Sequence, residues 1–153
     1  MPIIPIPAIA EPEWMPGWTR WYGLAELEVI PHRDSWGVYA IALKAEPTDD
    51  DAADPLDRDI QIIGETSGEG TSLYSRSYAA RQVLKGRKAS HGPAWTLREL
   101  IGIRPTLSGI SIAWYPVWEQ DNARSGALTL ALERLFIFNF VHTHGRLPTA
   151  NSE

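Results

Sequence analysis

The segment ARSGALTLALERLFIFNFVHTHG, residues 123–145, constrains this 153-residue chain most. From Ala127 to Val141 its leucines, phenylalanines and alanines leave almost no polar face, and a helix that is apolar all round belongs in a core. Gly145 closes it. Glu133 stands in the middle of this run with Thr129, Leu130, Phe136 and Ile137 at its i±3 and i±4 positions, so no opposite charge accompanies it along the helix. A desolvated carboxylate is protonated, pairs with a cation from another element, or holds a metal; otherwise it must reach solvent at the helix edge.

Three short apolar runs must pack against that helix. SWGVYAIAL, residues 35–43, reads as a buried central strand, IQIIGET from Ile60 as a second, and GISIAWYPVW, ending near Pro116, as a third. The acidic EPTDDDAADPLDRD joins the first two as a hairpin with a long connection. SLYSRSYAARQVLKG reads as a helix capped by Thr71 or Ser72 and ended by Gly86, and WTLRELIG as a second, shorter one. The order is β-β-α-α-β-α, with too few strands for a doubly wound sheet. Ahead of it, residues 1–34 form a Pro-rich, then aromatic arm with a short helix at GLAELEV, and 35–153 form the main domain. Tryptophans as dense as Trp14, Trp18 and Trp21 pack on the domain or on a second chain, so Trp14–Tyr22 is the candidate contact for a homodimer or a protein partner.

Composition narrows the class. No run reaches the length of a membrane span, the N-terminus lacks the basic region of a secretory signal, and the absence of cysteine fits a reducing compartment; the expectation is cytoplasmic, with no membrane. It also removes thiol nucleophiles and cysteine-ligated zinc. The net charge of -5 conceals an asymmetry. Nine carboxylates between Glu46 and Glu69 face Arg58 alone, whereas Arg76, Arg81, Lys85, Arg87, Lys88, Arg98 and Arg104 face only Glu99. A basic segment of that kind is what contact with a phosphate backbone requires.

The loop GETSGEGTSLYSR, residues 64–76, does not satisfy the phosphate-cradling pattern G-x-x-x-x-G-K-[ST]: Glu69 and Gly70 stand at the glycine and lysine positions. Its one cation is Arg76, inside the helix that follows. His142 and His144 make an H-x-H at a helix end with no third ligand in the sequence beside them.

Gly37-Val38-Tyr39 at the first strand, Ile62-Ile63-Gly64 at the second, Leu73-Tyr74-Ser75-Arg76 in the next helix, then Glu133 and the tail GRLPTAN with Pro148 and Asn151, together resemble the GIY-YIG nuclease family over roughly residues 36–151. The resemblance implies an α+β fold with a small three-stranded antiparallel sheet flanked by helices, and hydrolysis of DNA phosphodiesters. It also implies that Glu133 carries Mg²⁺ (or Mn²⁺), that Arg76 neutralises the scissile phosphate and that Tyr39 acts at the attacking water as base or orienter. Asn151 would hold the site together. Arg81, Lys85, Arg87, Lys88 and Arg98 would face the DNA. The second motif departs from the pattern: Ile62 stands where the family has tyrosine, and Tyr74, Tyr78 and His91 are the side chains that could replace it in space. Ile62 also raises an alternative, a catalytically degenerate domain that binds nucleic acid or a protein partner without cleavage.

Overall fold

The structure, a computed structural model, describes residues 16–117 and 122–151; Trp14, the prolines before it and Trp118 lie outside them. Its centre is an antiparallel sheet. Strand β2 (Trp36–Ala42) is buried along nearly its whole length, with β3 (Ile60–Thr66) on one side and β4 (Ser111–Val117) on the other. The two-residue β1 (Tyr22–Gly23) pairs outside β4, so the sheet has four strands in the order β1-β4-β2-β3 rather than the three expected. A strand that short has no alternation for a sequence to display.

Helices cover both faces. A 3₁₀ helix (Leu24–Val29), α1 (Leu73–Leu84) and α2 (Gly92–Ile101) enclose one core around Tyr39, Ile41, Ile62 and Trp114. The other core packs Val38, Ala40, Ile63 and Ala113 against Leu132, Phe136 and Phe140 of α3 (Asn122–His144). The architecture is α+β, as the sequence indicates. Ser72 caps α1 in a reciprocal pair with Ser75, and the Trp114 indole donates to Ser77 Oγ at 2.9 Å, pinning the helix to β4.

The last helix is not enclosed on every side. It buries one stripe, Ser125, Thr129, Leu132, Phe136, Asn139 and Phe140, and leaves Leu130 and Phe138 exposed. The sheet offers α3 one face, because the other is already occupied by α1 and α2, and single apolar side chains on an outer surface cost little.

Backbone proximity explains Gly37. A Cβ there would overlap the Tyr115 carbonyl of β4, so only glycine lets these two strands approach at that point. The aromatic segment, where described, packs on the domain: Trp18 meets Tyr115 and Phe136 edge-on, Trp21 is buried, and Leu24, Leu27 and Ile30 share the core of Tyr39. The acidic connection is tied to Arg20 and Lys44 by Glu46 (2.8 Å) and Asp57 (2.6 Å), not to the basic segment. His144 donates to the Leu56 carbonyl at 2.6 Å, fastening the same connection to α3. Among the described residues no helix is long and apolar enough to cross a membrane.

Candidate active site

Strand alternation sends Tyr39 and Ile41 toward α1 and α2, and Val38 and Ala40 toward α3. Gly64 lies directly opposite Tyr39 in the ladder, and a Cβ on it would overlap the Tyr39 hydroxyl. The glycine of the second motif thus makes room for the tyrosine of the first. Ile62 points to the same side but sits deep in the core, opposite Ile41, where it needs no polar partner.

His91 is the side chain that meets the Tyr39 hydroxyl. It caps α2: its Nδ1 accepts from the Ala94 N–H at 3.1 Å, and its Nε2 lies 2.7 Å from the Tyr39 hydroxyl. Burial, followed by the charge of Arg76, pushes the imidazole down to about 3, so at neutral pH the ring carries one proton. With Nδ1 accepting, that proton is on Nε2, which donates to the Tyr39 oxygen. His91 therefore orients Tyr39 and cannot deprotonate it. Burial drives the Tyr39 phenol well above its ordinary range; the nearby Arg76 opposes this, while Glu133 and Glu65 add to it.

Arg76 sits on the second turn of α1, its Nη1 donating to the Ser90 carbonyl at 2.9 Å. Consecutive residues of one turn, Ser90 and His91, thereby hold Arg76 and Tyr39. No carboxylate among the described residues lies within ion-pair distance of the guanidinium. Arg76 borders a cavity of about 260 Å³ with Glu65, Thr66, Ser67, Gly68 and Thr71. The loop is braced across it, Thr66 Oγ1 donating to Thr71 Oγ1 at 2.7 Å and Thr71 Oγ1 to the Gly68 carbonyl.

Glu133 approaches from α3, its side chain 14% exposed, and its one ion pair among the described residues is a contact of 3.9 Å with Arg134, which is 79% exposed. Such a pair is worth little. Burial first and the charge of Glu65 second raise the Glu133 carboxyl, with Arg134 opposing. Arg76, Glu133 and Glu65 thus act on Tyr39, and Arg76 acts on His91 as well. Glu65 is not among the site residues that the sequence singles out. Strand alternation was the available signal: Gly64 faces Tyr39, so the next residue faces α3.

The remaining candidates lie elsewhere. Asn151 pairs with the outer edge of β3, Oδ1 accepting from the Ile63 N–H (2.9 Å) and Nδ2 donating to its carbonyl (2.8 Å), next to Gly64 but touching no other site residue. Tyr74 and Tyr78 pack on each other, under Arg33 and Arg81 respectively, and the Tyr74 hydroxyl donates to Glu28 at 3.4 Å. Arg81 is engaged by Glu28, and Arg98 lies over the ring of the partly exposed Trp95. Lys85 ends α1; Arg87 and Lys88 are exposed on the turn leading to Ser90. Comparisons of the chain with protein-family models, curated proteins and solved structures gave no match.

Proposed function

We propose that this protein is a divalent-cation-dependent DNA endonuclease of the GIY-YIG type. The observation that carries the reading is the setting of one hydroxyl: Tyr39, fully buried, lies within the electrostatic reach of Arg76, Glu133 and Glu65 at once. An arginine with no acid partner beside carboxylates with no firm cation is an incomplete charge arrangement, and such arrangements concentrate at functional sites.

A hard cation fits these donors. Glu133 offers carboxylate oxygen, and Mg²⁺ and Mn²⁺ take oxygen ligands. Glu133 would hold the ion, which supplies stabilisation of negative charge on the leaving oxygen. Arg76, fixed by the Ser90 carbonyl, keeps other N–H groups for a phosphodiester. Tyr39 remains a neutral phenol, so it orients the attacking water rather than removing its proton. His91 keeps the Tyr39 oxygen in place, and Arg87 and Lys88 are positioned to meet the flanking backbone.

Incubation of supercoiled plasmid with the protein and Mg²⁺ or Mn²⁺ tests this. The wild-type chain is expected to nick or linearise the plasmid and Glu133→Ala to lose that activity. Salt-dependent DNA binding without cutting by either protein would establish the alternative, a binding domain that kept the fold without the chemistry.

A further inference from the structure

Glu65 sits on the α3 face of β3, opposite Val38 and one residue beyond the glycine that accommodates Tyr39. Its Oε2 is buried and meets no hydrogen-bond donor among the described residues. Nor does the side chain form an ion pair there. A buried carboxylate oxygen without a partner is costly, and proteins rarely retain one that nothing satisfies. Glu133, on α3, lies close enough for the charge of Glu65 to raise its carboxyl, and its own ion pair among the described residues is the loose Arg134 contact. Arg76 borders the same cavity but donates to Ser90 instead. Two acids brought together from β3 and α3 repel each other unless a positive charge lies between them.

We propose that Glu65 and Glu133 jointly hold one divalent cation, Glu65 through its orphaned Oε2, so that the site has two carboxylate ligands rather than one. This rests on the nuclease reading and sharpens it. Two carboxylates bind a hard cation before nucleic acid arrives, whereas a single one depends on phosphate oxygen to complete the shell.

The test is an Mn²⁺ titration of the full chain without DNA, followed by electron paramagnetic resonance, on wild type, Glu65→Gln and Glu133→Gln, with melting temperatures measured with and without Mn²⁺. One Mn²⁺ is expected per wild-type chain, each variant weakening its binding at least about tenfold. Mn²⁺ should raise the melting temperature of the wild type and of neither variant. Without metal, Glu65→Gln should melt no lower than the wild type, because it removes an unpaired buried charge. If Glu65→Gln binds Mn²⁺ as the wild type does while Glu133→Gln fails, Glu65 is not a ligand and the nuclease reading stands. A metal-free Glu65→Gln that melts well below the wild type would make Glu65 a structural residue and overturn the inference. A wild type that binds no Mn²⁺ also overturns it, and plasmid cleavage by the same preparation then shows whether the nuclease reading survives.

Discussion

Helix α1 carries two arginines, Arg76 and Arg81, each set among tyrosine and glutamate side chains, and the two neighbourhoods differ in one respect. Around Arg81 every charge is matched: the guanidinium donates to both Glu28 oxygens (2.6 and 3.2 Å) and to the Ala25 carbonyl, and lies over the Tyr78 ring. The Arg81 hydrogen bond is the main reason the Glu28 carboxyl is held down to about 2. Around Arg76 the charges are unmatched. Its bond is to a backbone carbonyl, and Glu65 and Glu133 stay outside ion-pair reach. A closed ion pair adds a little stability and has nothing left for a ligand, whereas an open constellation costs stability and gains from one. The basic stretch in the sequence therefore overstates the charge available to DNA, since Arg81 is spent internally.

The largest expected effect separates the two arginines. Arg76→Ala should lower plasmid cleavage about 10²- to 10³-fold, the usual cost of removing a group that stabilises transition-state charge. Arg81→Ala should change it by no more than about threefold and lower the melting temperature instead. Measuring both rates and both melting curves decides the matter. Equal losses of activity would erase the distinction between the neighbourhoods.

A smaller effect concerns the backbone that keeps the open site in place. Gly64→Ala should destabilise the fold by about 1–3 kcal/mol in urea unfolding, because the new methyl group and the Tyr39 ring claim the same space inside a packed core. Gly92→Ala, where a Cβ would meet nothing within 4 Å, should stay within about 0.5 kcal/mol of the wild type. Equal stability of the two variants would mean that Tyr39 moves aside without cost, and the site would then not be preorganised.

The sequence makes the order of elements legible because apolar runs of strand and helix length alternate with turn residues. Tyr39, Arg76 and Glu133 are singled out together only by the family resemblance of their spacing, and two glycines of those motifs have a physical reason visible only in three dimensions: Gly37 for a strand carbonyl and Gly64 for a phenol. Four things were not readable. The strand Tyr22–Gly23 is too short to carry a period. The exposed side of α3 follows from there being no further layer, which composition does not encode. His91 is legible as one of three candidates, but that it is the one to meet Tyr39, 52 positions away, follows only from the docking of α2 onto the sheet. Glu65 was hidden by its company, one acid among nine in an acidic stretch. Only the β3 register separates it from those that face solvent.

The smallest effect expected is in pH dependence, where the two neighbourhoods occupy different windows. The folded-state pKa of His91 is lowered to about 3 against an ordinary value of 6.5, so between these limits the unfolded chain takes up a proton that the folded chain refuses. Stability from this group is complete above 6.5 and is lost as the pH falls. Between pH 7.5 and 5.5 the loss should be about 1 kcal/mol. Glu28, lowered from 4.5 to about 2, contributes stability that is present above 4.5 and lost only below it, so it does not act in the same interval. Burial lowers His32 as well, giving the wild type a second contribution of the same sign. The comparison that isolates His91 is therefore with His91→Asn, whose side chain can still cap α2 but has neither a titrating ring nor the reach to Tyr39. Urea unfolding at the two pH values should show a shallower dependence in the variant. An unchanged slope would mean that His91 can be protonated in the folded protein; the proton on Nε2 would then no longer be fixed by the α2 cap, and Tyr39 would lose the partner that orients it.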